Sequence, residues 1–205
     1  RRAEVNVIAD VMLAHPADSE VSCLIVAVSQ GNGVPCLYTQ GLGHLFVHDH
    51  ALLPQRDTGY LPDANAADAV KVTVNFQSGG ATGFVYDDAL AAYGMLHADD
   101  TPQLDANTGT QAAFDNLLIL YSGSSLRDDG RTLDYDLSMG GGVWLNGGHL
   151  WTITWTQGRD NTLLLYDADG RTMNIEAGTS YIALVTSLTG QELTVTNSSG
   201  EAILG

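Results

Sequence analysis

The chain has 205 residues, of which 24 are Asp or Glu and only 8 are Lys or Arg, which gives a formal net charge of −16. Such a charge repels nucleic-acid phosphates and anionic lipid headgroups, so it excludes a nucleic-acid-binding protein and a protein that docks on an acidic membrane through basic clusters. The 44% hydrophobic and 16% charged residues are typical of a folded globular protein.

The first part of the chain predicts helices as well as strands. Apolar residues recur at the spacing of one helical face in residues 3–14, which predicts an amphipathic helix. These residues are Val5, Ile8, Val11 and Met12. Asp63 is placed to cap a second, brief helix over residues 64–70. Apolar runs and apolar alternation predict strands over residues 21–28, 45–47 and 72–76.

After Gly79 and Gly80, alternating apolar residues and frequent turn residues predict short strands. The predicted strands are 84–86, 117–121, 132–137, 143–145, 150–156, 163–166, 173–175, 181–185, 193–196 and 202–204. Asn146-Gly147 is a type I′ hairpin signal, and Asp169-Gly170 predicts a second tight turn. We therefore expect an α/β portion over residues 1–78 and a β-rich region over 79–205, packed as one compact unit.

Several sequence blocks in residues 80–187 occur in the order and at the spacing of a known family. They are 84–87 (FVYD), 105–109 (DANTG), 140–148 (GGGVWLNGG), 166–171 (YDADGR) and 177–185 (AGTSYIALV). Together they resemble the YerB-like lipoproteins, and residues 1–76 resemble the family's N-terminal region more loosely. The resemblance implies an α+β fold of the three-layer ββα type, with β-sheets covered by helices on one side and a mainly antiparallel C-terminal body. It also implies an exported bacterial protein held at the cell membrane by a lipid anchor that lies upstream of Arg1.

The chain departs from the family pattern at polar positions. Met95 and Thr156 stand where the family has basic residues, and residues 103–105 (QLD) stand where it favours His-x-Asp. The molecular function of the family is not established, so the resemblance implies no catalytic residues.

A group of histidines is the first candidate site. On a strand, alternation would place His44, His48 and His50 on one face, close to a three-imidazole metal shell. The alternative is a solvated strand end that runs into a loop. Nothing else in the sequence indicates a cofactor.

Two carboxylates are the second candidate site. Asp134 and Asp136 are two residues apart, so they share one face of a strand. Glycoside hydrolases use a pair of carboxylates as acid and base, which makes an envelope-glycan hydrolase the alternative function. The other interpretation of this pair is an exposed strand face.

Tryptophans near the predicted hairpin are the third candidate site. Trp144 and Trp151 could form an exposed platform for a glycan ring or a partner protein. Alternatively, the tryptophans of this segment anchor the core through their large buried area.

The sequence contains no nucleophile motif and no phosphate-binding loop, which favours a protein that is not an enzyme. The leading expectation is therefore an exported, lipid-anchored protein of the cell envelope. We expect it to bind another protein or a cell-wall component, and to contact the membrane only through its anchor.

Overall fold

A computed structural model describes residues 5–12, 23–30, 55–56, 66–76, 80–106, 108–128, 130, 133–159, 162–176 and 178–205. The strands of this part are β1 Val5–Met12, β2 Cys23–Gln30, β3 Gln55–Arg56, β4 Ala67–Asp68, β5 Lys71–Asn75, β6 Ala81–Asp87, β7 Ala92–Leu96, β8 Ala113–Phe114, β9 Asn116–Tyr121 and β10 Ser124–Leu126. They continue with β11 Leu133–Tyr135, β12 Met139–Asn146, β13 His149–Gln157, β14 Leu163–Tyr166, β15 Thr172–Met173, β16 Ile175–Glu176, β17 Ser180–Val185, β18 Glu192–Thr196 and β19 Ala202–Leu204. A short 3-10 helix spans Ser187–Thr189.

The predicted α+β fold class is wrong, because the described residues are nearly all β and contain no α-helix. Within the predicted helix over residues 3–14, the described residues 5–12 form strand β1, which pairs with β2 in an antiparallel register from Val5↔Gln30 to Met12↔Cys23. The run VNVIADVM also has apolar residues at every second position, and pairing with β2 favours that period over the helical one. In the predicted helix over 64–70, residues 67 and 68 form the short strand β4 instead.

One sheet of nine strands organises the molecule. Its order is β1-β2-β17-β9-β12-β13-β14-β15, and β4 pairs with β13 off this path. Strands β9 and β17 are parallel, whereas β12 is antiparallel to β9. The C-terminal ends of β9 and β17 therefore lie at the same end of the sheet as the beginning of β12.

A second sheet of six strands, in the order β19-β18-β5-β6-β7-β8, packs on one face of the nine-stranded sheet. The core between the two sheets contains aromatic contacts across the layers. The ring of Phe84 in β6 lies 4.7 Å from that of Tyr181 in β17, and Phe114 in β8 lies 5.5 Å from the same tyrosine. Edge-on aromatic contacts of this kind fix how two sheets pack together.

The opposite face of the nine-stranded sheet is also buried. Its core consists mainly of tryptophans and aliphatic residues, including Trp144, Trp155 and Ile153. Because β9 is covered on both faces, its residues Leu117, Leu118, Ile119 and Leu120 form a continuous apolar run rather than an alternating one.

Most strands predicted after Gly80 are confirmed, and those over 163–166 and 202–204 have the predicted bounds. The hairpin between β12 and β13 is confirmed, but its turn lies at Gly147-Gly148, one residue later than predicted. Both glycines have positive φ, of 56° and 76°, which is the combination that a type I′ turn requires. The predicted strand over 45–47 lies outside the described residues.

Candidate functional site

Polar residues form a row across one end of the nine-stranded sheet. Ser180 of β17 pairs with Asn116 of β9, Asn116 with Asn146 of β12, and Asn146 with His149 of β13. The row ends at Asp68 of β4, which pairs with His149. We call these residues the polar row.

The middle of the polar row is buried and hydrogen-bonded. The side-chain oxygen of Asn116 accepts bonds from the indole Nε1 of Trp144 at 3.0 Å and from the amide of Asn146 at 3.3 Å. The amide of Asn116 donates to the carbonyl of Glu176, and that of Asn146 donates to the carbonyl of Asp115. A satisfied buried network of this kind fixes the relative position of the strands that carry it.

Trp144 and Trp151 lie next to the polar row, on the same face of the sheet. Their rings stack with centroids 4.8 Å apart and are only 0% and 4% exposed. The edge of the His149 ring lies near Trp151, with centroids 6.0 Å apart. In this structure the two indoles are therefore core residues that lie beside the polar row.

The other end of the same sheet carries exposed hydrophobic side chains. Five large hydrophobic side chains are exposed where β9 and β17 end and β12 begins: Tyr121, Leu126, Leu137, Met139 and Leu188. Their exposure ranges from 39% for Tyr121 to 63% for Met139. In the part of the chain that the structure describes, eight large hydrophobic side chains are exposed, so most of them are at this end.

Hydrogen bonds hold the segments that carry these five residues together. The hydroxyl of Ser124 in β10 bonds that of Thr186 at 2.7 Å, and Thr186 caps the 3-10 helix that carries Leu188. The hydroxyl of Ser122 donates to the carbonyl of Asp136, and the N–H of Asp136 donates to the carbonyl of Gly123. The hairpin of β10 and β11, the start of β12 and the 3-10 helix therefore form one surface, which we call the hairpin surface.

The close approach of β12 to its neighbours explains two of the three glycines that precede Val143. A Cβ on Gly142 would lie 2.6 Å from the carbonyl oxygen of Ile119, and one on Gly140 would lie 2.8 Å from the indole nitrogen of Trp155. Glycine at these positions lets β12 enter the sheet beside Met139, at the border of the hairpin surface.

Asp134 and Asp136 lie on the hairpin and have separate partners. The guanidinium of Arg127 donates two hydrogen bonds to Asp134, at 2.5 and 3.0 Å, and holds the pKa of this carboxyl below its usual range. The carboxyl of Asp136 accepts the N–H of Ser138 at 2.9 Å, and bonds from Ser138 lower its pKa as well. Both carboxylates are exposed, and sequence reasoning identified neither partner.

The acidic residues at turns mostly bond to the backbone. Asp87 accepts the N–H of Ala89, Asp99 accepts that of Thr101, and Asp167 accepts those of Asp169 and Arg171. Much of the acidity of the chain is therefore explained by turn formation.

His44, His48 and His50 lie outside the described residues. Within those residues, no group of three or more His, Cys, Asp or Glu side chains is arranged to hold a metal ion. The described part of the chain also contains no helix of the length and apolarity needed to cross a bilayer.

The fold is that of a two-sheet β protein with one polar and one apolar sheet end. The chain belongs to a family of proteins of unknown function, because the DUF3048 C-terminal domain matches residues 72–182, which is more than half of the chain. The family resemblance predicted from the sequence is confirmed.

The fold is similar to the crystal structure of the YerB protein from Bacillus subtilis, with a TM-score of 0.55 and 21% identity. The match covers 69% of this chain and 46% of the YerB chain, so the chain spans less than half of that protein. A comparison with curated proteins gives no match.

Proposed function

We propose that this chain is part of an exported, lipid-anchored protein of the cell envelope that binds another protein or a cell-wall component and does not act as an enzyme. The resemblance to the YerB-like lipoproteins supports the proposed location. The binding role is supported by one observation above all: of the eight large hydrophobic side chains exposed in the described residues, five belong to segments that meet at one end of the nine-stranded sheet.

Exposed apolar side chains are common when they are scattered singly, but a contiguous group is typical of an interaction site. Leu126, Leu137 and Met139 come from the hairpin and the following strand, whereas Leu188 comes from a segment about fifty residues further along the chain. Hydrogen bonds, including the one between Ser124 and Thr186, hold these segments in place. A preformed surface loses less conformational entropy when it binds.

The carboxylates of the hairpin favour binding over hydrolysis. A glycosidase needs a carboxylic acid whose pKa is raised, so that it holds a proton near neutral pH. The pKa of Asp134 and that of Asp136 are both lowered by their hydrogen-bond partners. Asp134 is also held in an ion pair with Arg127, which favours its charged form.

The binding role is tested with the full chain as bait in bacterial envelope extract, and by co-sedimentation with peptidoglycan. The test variant is Leu126→Ser/Met139→Ser. The matched control is Leu90→Ser/Leu104→Ser, which removes two leucines that are similarly exposed but lie elsewhere. Circular dichroism verifies that both variants are folded.

We expect one partner or cell-wall fraction to be retained by the wild-type chain and the control variant, and lost with the test variant. Retention by all three proteins would overturn the assignment to the hairpin surface. Absence of any retained component would overturn the binding role. Recovery of the natural gene product in the soluble fraction after cell fractionation would overturn the location.

A further inference from the structure

The hairpin surface combines the short two-stranded sheet of β10 and β11 with acidic charge. Strands β10 and β11 form a sheet of two strands, and within the described residues neither pairs with a third strand. An extended peptide can add to such an edge through main-chain hydrogen bonds, while its alternate side chains contact the surface. Leu126, Leu137 and Met139 supply apolar contacts for those side chains.

The charge of the surface selects the partner. Residues 121–139 contain four aspartates and two arginines. Arg127 is already paired with Asp134, whereas Asp128 and Asp136 are exposed carboxylates. The chain as a whole is also negatively charged, with a formal net charge of −16. This field repels a second copy of the chain and attracts cationic segments.

We propose that the hairpin surface binds an extended segment of a partner protein in which apolar side chains alternate with lysine or arginine. This inference rests on the proposed function and identifies the chemistry of the partner. The apolar side chains contact the exposed leucines and Met139, and the cationic ones lie near Asp128 and Asp136.

The probes are three short fluorescein-labelled peptides used at nanomolar concentration, and binding is measured by fluorescence anisotropy. In the first peptide Leu and Lys alternate. In the second Glu replaces Lys, and in the third Ser replaces Leu. We expect the Leu/Lys peptide to bind, and each of the other two to bind at least about tenfold more weakly. The Leu126→Ser/Met139→Ser variant is expected to lose the Leu/Lys peptide, whereas Leu90→Ser/Leu104→Ser retains it.

The charge requirement has its own pair of variants. Asp128→Asn/Asp136→Asn is expected to weaken binding of the Leu/Lys peptide by about twofold to thirtyfold, which is the range for two exposed ion pairs. The control Asp88→Asn/Asp99→Asn removes the same number of charges elsewhere and is expected to bind like the wild-type chain. Asparagine at position 136 can still accept the N–H of Ser138, and asparagine at position 99 can still accept that of Thr101.

If the Leu/Lys and Leu/Glu peptides bind equally and the Leu126→Ser/Met139→Ser variant binds neither, the inference that the partner is cationic is overturned. The hairpin surface would then remain a binding site. Equal binding of the Leu/Lys and Ser/Lys peptides would show attraction by charge alone and overturn the inference. Binding of none of the peptides would also overturn it, and the proposed function would then depend only on the envelope extract experiment.

Discussion

The indole nitrogen of Trp144 donates a hydrogen bond of 3.0 Å to the side-chain oxygen of Asn116, 28 positions earlier in the chain. Both residues are fully buried, and the bond connects strand β12 to strand β9 at the polar end of the sheet. At this end the side chains of Asn116, Asn146 and Trp144 are buried and hydrogen-bonded. The opposite end of the same two strands carries the exposed hairpin surface, so the two ends differ in burial.

The bond between these residues predicts energetic coupling. Asn116→Ala should lower the free energy of unfolding by about 1–3 kcal/mol, because it leaves the buried indole N–H without its acceptor. Combined with Trp144→Phe in a double-mutant cycle, it should show a coupling energy of about 0.5–1.5 kcal/mol. Chemical denaturation measures both values. Trp155→Phe replaces Trp144→Phe in the control cycle, because the indole of Trp155 donates to the carbonyl of Gly141 instead. Additive effects of Asn116→Ala and Trp144→Phe would contradict the account.

The glycines of β12 predict a contrast between neighbours. Gly142→Ala places a methyl group against the carbonyl of Ile119 and should lower the free energy of unfolding by about 1–3 kcal/mol through overpacking. Gly141→Ala should have little effect, because its Cβ would have no neighbour closer than 4.0 Å. Thermal or urea unfolding of the two variants measures the difference. Equal destabilisation would show that β12 does not approach β9 as described.

The partners of the hairpin carboxylates predict a pattern of titration. Asp134 and Asp136 should both titrate below the usual pKa of aspartate in a carbon-13 NMR titration, because each accepts hydrogen bonds in its charged form. Arg127→Gln should raise the pKa of Asp134 and leave that of Asp136 unchanged. An equal response of both carboxyls would contradict the separate partners.

The same shifts fix how these groups affect stability with pH. A pKa that is lower in the folded state than in the unfolded chain means that the folded protein holds the charged form more strongly. The stabilisation is therefore present above the usual pKa of aspartate, and it is lost as the pH falls through the lower, folded-state values.

Burial of the tryptophans predicts their fluorescence. Trp144, Trp151 and Trp155 should together give blue-shifted emission that acrylamide quenches weakly, because none is more than 4% exposed. Unfolding in urea provides the reference for full exposure. Red-shifted, easily quenched emission from the folded chain would support an exposed tryptophan platform instead.

The strands after Gly80 could be predicted because their information is local. Apolar alternation, Asn146-Gly147 and Asp169-Gly170 mark strands and turns within a few residues of each other. The helix over residues 3–14 was predicted wrongly because its short apolar run fits both periods, and its pairing with β2 is not visible in the run itself. The turn was predicted one residue too early because Asn146, Gly147 and Gly148 can all adopt turn conformations.

The site depends on contacts that the sequence does not encode locally. The parallel pairing of β17 with β9 places Ser180 beside Asn116 and brings the segments of Thr186 and Ser124 together, across more than sixty positions of sequence. The one local signal for the hairpin surface was the set of apolar residues on either side of the polar segment 127–132, such as Leu126 and Leu137. A sequence does not show which of its leucines remain uncovered once the sheets have packed.

The most direct test of the hairpin surface as the binding site is site-specific photo-crosslinking in the envelope of living cells. A photoreactive phenylalanine analogue replaces Met139 in one variant and Leu90 in a control, both of which are more than 60% exposed. The account predicts one discrete crosslinked product from position 139 and none from position 90. The same product from both positions, or none from position 139 in folded and correctly located protein, would contradict it.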